Sequence, residues 1–207
     1  MTKNQGVVRA RAGLGVEDVV RAAFEVLDRQ GIAKLSTRAI ATELSVSMNT
    51  VMWHIGTKAR LLELMADALV AEVETDPLRG DWRQRAAQLL GGLRQAMLRY
   101  RDGALVVAGT FPVLPSTLAF GDQLIAVLLS GGAASKPAAW TAWNLFYFTL
   151  GLVQEEQRAP DTLPDALQDV VDETEFPSLH AVLDDFLSAD YDARFRFGID
   201  QILGSLG

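Results

Sequence analysis

The sequence predicts an all-α protein, with a three-helix N-terminal domain containing a helix-turn-helix in residues 1–60 and a larger helical domain in residues 61–207. Three observations carry that expectation. Apolar residues recur at i, i+3, i+4 and i+7 through most of the chain, and no segment reads as a strand. Serines stand where two short N-terminal helices would begin. The charge also divides sharply: residues 1–60 hold nine Lys and Arg against five Asp and Glu, net +4, whereas residues 61–207 hold ten against 21, net −11. The overall charge of −7 therefore conceals a basic N-terminal segment suited to phosphate.

The elements follow in order. Val16, Val19, Val20, Ala23, Phe24 and Leu27 form one helical face, with Gly31 placed to end the first helix. Ser36 caps a second helix carrying Ile40, Ala41 and Leu44, and after Ser45-Val46, Ser47 caps a third from Met48 to about His54. A fourth helix starts at Lys58, bears Leu61, Leu62, Met65, Ala68 and Leu69, and is expected to stop at Asp76-Pro77. A long helix follows with Trp82, Ala86, Leu89, Leu90, Leu93, Met97 and Tyr100 on one side, and Gly91-Gly92 should weaken or bend it. Residues 103–115 read as a short helix and a loop, followed by another helix to Ser130. Pro137 suits the first turn of a helix over Ala138–Gln157, whose breadth of apolar residues predicts burial on more than one side, as at a subunit interface. The stretch from Arg158 to Pro177, with three prolines and six acids, predicts a mobile acidic loop. The last helix presents Phe195, Ile199, Ile202, Leu203 and Leu206.

Composition removes several function classes. The chain has no cysteine, which excludes disulfides, a thiolate nucleophile and cysteine-bound zinc. With His54 and His180 as its two histidines, no histidine-rich metal site can be built. There is no Ser-His-Asp spacing and no glycine-rich phosphate loop, so no catalytic residue, cofactor or metal is expected. The uncharged run Ala138–Val153 is shorter than the ~20 residues a bilayer span needs. The first residues also lack the apolar core of a secretory signal. A cytoplasmic protein without membrane contact is the expectation.

In a helix-turn-helix the second helix lies in the major groove with its first residues facing base edges, which makes Ser47, Met48, Asn49 and Thr50 the expected readers. Asn49 can pair bidentately with adenine, and Thr50 can bond a phosphate or touch a thymine methyl. Lys58 and Arg60 at the start of the fourth helix, and Thr37 and Arg38 in the second, can bond phosphates. Taken singly, each is equally readable as an ordinary cap or solvated charge. In this order, Leu35-Ser36-Thr37-Arg38-Ala39-Ile40-Ala41, Leu44-Ser45-Val46-Ser47, Thr50-Val51-Met52-Trp53-His54-Ile55 and Thr57-Lys58-Ala59-Arg60-Leu61-Leu62 resemble the TetR family of repressors. The resemblance adds Trp53 and His54 to the DNA-facing set, His54 lying near the DNA backbone or else acting as a packing residue. Two departures from the family pattern are Ser45, where the turn usually has glycine, and Met52, where a tyrosine commonly touches a phosphate.

The resemblance continues through Tyr100-Arg101-Asp102-Gly103-Ala104, Gly109-Thr110, Pro112, Gln123-Leu124, Phe148-Thr149-Leu150-Gly151, Glu155 and Phe195-Arg196-Phe197-Gly198, which are similar to the ligand-binding domain of the family's tetracycline-repressor branch. It implies a homodimer in which helices 138–157 and 191–206 of two subunits form a four-helix interface, and release from operator DNA when a small molecule binds. The drug-contacting positions mostly differ. Val107 stands where that branch has a metal-binding histidine, Glu74 and Leu89 where it has a histidine and an asparagine, and Leu93 where it has a phenylalanine, while Thr110, Gln123 and Glu155 match.

On physical grounds Leu89, Leu93, Val107, Thr110, Phe111, Trp140, Trp143, Asn144 and Tyr147 would form an apolar, aromatic pocket with few polar anchors. Gln123 joins it by resemblance. Trp140, Trp143 and Tyr147, at i, i+3 and i+7, also read as filling of a dimer core. The expected effector is a small apolar or aromatic molecule that binds without a metal. The alternatives are an effector-independent DNA-binding protein and, more remotely, a small-molecule enzyme.

Overall fold

The computed structural model describes residues 13–160 and 162–206. Among them are twelve α-helices, one 3-10 turn and no strand. Lys3, Arg9 and Arg11, part of the basic charge of residues 1–60, lie outside the described residues.

Helix α1 (Val16–Gln30) buries Val19, Val20, Ala23, Phe24 and Leu27, and Gly31 closes it by donating its N–H to the Leu27 carbonyl. After the 3-10 turn Ile32–Lys34, the Ser36 hydroxyl accepts from the Ala39 N–H and opens α2 (Thr37–Glu43). The turn to α3 (Met48–Ile55) is a two-bond helix stop, in which Ser45 N–H donates to the Thr42 carbonyl and Val46 N–H to that of Ala41. That stop needs a left-handed residue, and Ser45 takes the conformation with φ 55°. It carries the strain that the usual glycine would avoid, about 1 kcal/mol. Helix α3 is capped by Ser47 and α4 (Lys58–Val70) by Thr57, each accepting from the backbone N–H three residues on.

Helix α4 ends at Val70, short of the expected stop at Asp76-Pro77. The chain leaves the helix because residues 72 and 73 turn to meet α5 (Trp82–Leu98): Glu72 pairs with Arg99, and Val73 packs on Gly92. Helix α5 runs unbroken through Gly91-Gly92, and a Cβ at Gly92 would stand 2.9 Å from a Val73 methyl. Glycine there permits a close approach.

Helices α6 (Gly103–Val107) and α7 (Pro115–Ser130) lead into α8, which spans Ser135–Arg158 and so starts three residues before the expected boundary. The predicted loop over 158–177 is partly helical. It contains α9 (Leu163–Gln168) and leads to α10 (Pro177–His180) and α11 (Leu183–Leu187), with Pro164 and Pro177 in first turns, where a missing N–H costs nothing. The final helix, α12 (Tyr191–Gly204), crosses α8 closely enough that a Cβ at Gly198 would collide with the Phe148 ring. Helix α4 packs against α1 and α3 as well as against α5, α6 and α7, which makes it the shared element between the N-terminal helices and the rest.

Candidate DNA-reading face and effector site

Burial of Val51 and Ile55 fixes the rotation of α3 and turns Met48, Asn49, Met52 and Trp53 to solvent as a single stripe. Trp53 is 82% exposed, an arrangement that costs hydration free energy unless something covers the ring. Its ring meets the half-buried His54 edge-on at 4.7 Å. The Ser47 hydroxyl is occupied by the cap and by the Thr50 hydroxyl at 2.9 Å, so Ser47 and Thr50 hold the start of the helix. Thr37 sits at the first position of α2 and donates its hydroxyl to the Met52 sulfur at 3.7 Å, tying the two helices together. Arg38 and Lys58 are exposed and make no salt bridge among the described residues, whereas Arg60 pairs with Glu63 at 2.9 Å.

The ten effector-site candidates fall into three environments. Leu89, Leu93 and Val107 are sealed in the core. Thr110 and Gln123 are half-buried, and the Thr110 hydroxyl donates to the Val107 carbonyl at 2.8 Å. Phe111, Trp140, Trp143, Asn144 and Tyr147 are exposed on this protomer. Trp143 stacks on Tyr147 at 5.4 Å, and the Lys136 ammonium lies 4.4 Å from the Trp140 ring centroid. Trp140 and Trp143 are therefore not core residues of one subunit, and their rings remain available to a second subunit or a ligand. A cleft of about 340 Å³ opens elsewhere, lined by Glu72, Glu74, Leu78, Gln88, Gln95 and Arg99, none of them among the ten.

Contacts outside both candidate sets brace the molecule, and some of them join the N-terminal helices to the rest. Gln157, near the end of α8, donates to the Met97 and Tyr100 carbonyls at 3.1 and 2.9 Å and accepts from the Ala104 N–H at 3.2 Å. The same corner grips α1 and the turn after it. Asp102 accepts from Ile32 N–H and Asp28 from Arg101 N–H, both at 2.9 Å, and the Tyr100 and Phe24 rings stack at 4.2 Å. Asp67 of α4 accepts from the backbone and hydroxyl of Thr117 at 2.8 and 2.9 Å. Little in the sequence marks these residues, apart from the Tyr100–Ala104 string already noted for its resemblance.

Burial, then the hydrogen bond to Glu72 and the nearby Glu72 charge, push the Tyr100 phenol up to about 12. The unfolded phenol ionises near 10 and the folded one later, so the unfolded state is favoured as pH rises between these values. Alkaline urea titrations should show stability falling above pH ~10, and Tyr100→Phe should flatten that fall while costing ~1 kcal/mol at neutral pH. An unchanged alkaline slope in the variant would remove Tyr100 as its source.

Comparison with known proteins agrees with this architecture. Residues 19–65 match the family described as "Bacterial regulatory proteins, tetR family", and residues 74–206 match "Tetracyclin repressor-like, C-terminal domain". The tetracycline repressor protein class A from transposon 1721 of Escherichia coli is 34% identical over 191 residues, which is 91% of this chain and 88% of that one. The crystal structure of a possible TetR family transcriptional regulator from Streptomyces coelicolor A3(2) superposes with TM-score 0.83 at 32% identity, over 92% of this chain and 98% of that one. Streptomyces coelicolor ActR in complex with actinorhodin gives TM-score 0.85 at 27% identity, over 94% and 96%.

Proposed function

Because the chain belongs to the TetR family of ligand-responsive transcriptional repressors, which are regulators and not enzymes, we propose that it binds a palindromic operator as a homodimer and is released by a small, largely apolar effector. The observation that carries the DNA half is the exposed stripe of α3, held by the Ser47 cap and flanked by the exposed cations Arg38 and Lys58. Two such stripes reading one duplex face require half-sites about one helical turn, ~34–36 Å, apart. Lys58→Ala should weaken binding to every sequence and flatten its salt dependence, because a phosphate contact carries no base information. Asn49→Ala should relax base preference at one position of each half-site, at a cost of ~1–3 kcal/mol for the preferred sequence. Gel-shift titrations at two salt concentrations test both, and unchanged binding in both variants would displace α3 as the reader.

Support for the effector half comes from relatives. One carries tetracycline in its name, and ActR has been solved with actinorhodin, so a relative of this fold accepts a small molecule. One observation favours the second reading, effector-independent DNA binding: Leu89, Leu93 and Val107 are packed in the core and the 340 Å³ cleft lies elsewhere. Thermal shifts against aromatic compounds, read beside operator release, decide between them.

Trp140, Trp143 and Tyr147 on α8 and Phe197 on α12 are exposed on the single protomer and would gain cover where another protomer faces them. Phe195 sits in the protomer core at 6% exposure, so Phe195→Asp reads protomer stability, whereas the 68%-exposed Phe197 reads the interface. Phe197→Asp should shift the protein toward a folded monomer in analytical ultracentrifugation. A dimer of unchanged affinity would remove this face from the interface. Release would then proceed through α4, which touches both halves, as binding favours a state whose recognition helices no longer match successive grooves.

A further inference from the structure

We propose that Met48 and Met52 are specificity-determining residues whose side chains pack on the C5 methyl groups of operator thymines. This inference rests on the reading of α3 as the recognition helix. The outward stripe of that helix holds four residues, Met48, Asn49, Met52 and Trp53, of which Asn49 alone can hydrogen-bond a base edge bidentately. The neighbouring hydroxyls are largely taken up by each other and by the cap, which leaves one hydroxyl proton between Ser47 and Thr50. No Lys or Arg occurs between Ser47 and Gly56. This face therefore has little with which to satisfy the donors and acceptors of a G·C pair, and a desolvated base group left without a partner opposes binding. The major groove has one apolar feature, the thymine methyl.

The two methionines fit that feature. Met48 is 45% and Met52 40% exposed, and they stand one helical turn apart on the same face. Each offers an unbranched, polarisable chain that adapts to a methyl group without demanding one geometry. The Thr37 hydroxyl holds the Met52 sulfur from α2, which limits the rotamers the side chain must give up on docking. Discrimination at these base pairs is thus apolar, set beside the single amide of Asn49.

The test uses the full-length protein and a palindromic duplex that it selects from a random-sequence pool. Each thymine of the selected half-site is replaced in turn, symmetrically in both half-sites, by deoxyuridine, which removes the C5 methyl and leaves base pairing intact. One methyl lost from each half-site should weaken wild-type binding by roughly 15-fold, about fourfold per methyl. The thymine-to-deoxyuridine ratio should fall to about one in Met48→Ala at one thymine and in Met52→Ala at another, while Met52→Leu, which remains apolar, keeps the discrimination. A loss of fold or of phosphate contact would weaken both duplexes alike and leave the ratio unchanged. Deoxyuridine tolerated at every position by the wild type, or a penalty that persists in both alanine variants, overturns the proposal. If no duplex is selected, or Asn49→Ala and Lys58→Ala leave binding unchanged, the reading of α3 fails and takes this inference with it.

Discussion

Arg94→Ala should destabilise the protein by about 3 kcal/mol, because it strands the part-buried Glu156 carboxylate and removes a packed side chain that joins three helices. The Arg94 side chain is 6% exposed in the middle of α5. Its guanidinium bonds Glu156 of α8 through two nitrogens at 2.8 and 3.1 Å, donates to Asp192 of α12 at 2.5 Å, and lies 5.4 Å from the Phe195 ring centroid. One side chain thus joins α5 to both helices proposed to form the interface. The partners are unequal, because the Glu156 side chain is 21% exposed and that of Asp192 70%. Glu156→Gln should therefore cost ~1–2 kcal/mol, and Asp192→Asn no more than ~0.5 kcal/mol, since water solvates an exposed carboxylate nearly as well. Urea midpoints at fixed protein concentration give the order, concentration being held because a dimer links stability to it. Asp192→Asn as damaging as Arg94→Ala would show that the exposed pair carries the junction.

How much of this was legible in the sequence depended on whether the signal was local. Ser36, Ser47 and Gly31 announce helix ends because a cap is a bond between a residue and its own neighbours, and all three stand where expected. The end of α4 was misplaced because a tertiary contact sets it. The helix ends at Val70, well before Pro77, and Glu72 and Val73 leave it to meet Arg99 and Gly92. The three prolines of residues 158–177 suggested a loop by number, whereas two of them, Pro164 and Pro177, stand in first turns, which allows helices. Arg94 gave no signal, since an arginine between Leu93 and Gln95 reads as solvated until α8 and α12 are seen to cover it. Tyr100, Trp140, Trp143 and Tyr147 all looked like members of apolar faces. Only the packing separates the stacked ring of Tyr100 from the three that face outward.

The corner at residues 97–104 is a second tie, beside α4, between the N-terminal helices and the rest. Gln157 holds the end of α5 and the start of α6 with three hydrogen bonds, and the same short segment holds α1 through Asp28, Ile32 and Phe24. A ligand that displaces α6 or the end of α8 must strain these bonds or move the N-terminal helices with them. Coupling requires the ligand to prefer one of the two arrangements, so its strength is bounded by that preference.

Tetracycline with magnesium should fail to bind, with an affinity lower by at least about a thousandfold than a site built for it would have. The Val107 side chain offers no lone pair to a metal, and its surroundings are apolar core. Leu89 is fully buried and Glu74 is exposed on the edge of a separate cleft, so neither replaces the hydrogen bonds of an asparagine and a histidine to a polar drug edge. Thr110, one of the matching residues, already donates its hydroxyl to the Val107 carbonyl. Each polar group left unpaired costs ~1–3 kcal/mol, and three such losses at about 2 kcal/mol each exceed the ~4 kcal/mol that corresponds to a thousandfold. An apolar aromatic molecule avoids that penalty, because the exposed rings of Phe111, Trp140, Trp143 and Tyr147 gain by being covered and ask it for few hydrogen bonds. Isothermal titration with tetracycline and magnesium should show no heat of binding, and operator release by the active effector should be indifferent to EDTA. Tight tetracycline binding, or an effector response that EDTA abolishes, would show that this chain builds a metal-dependent drug site from residues other than those its relatives use.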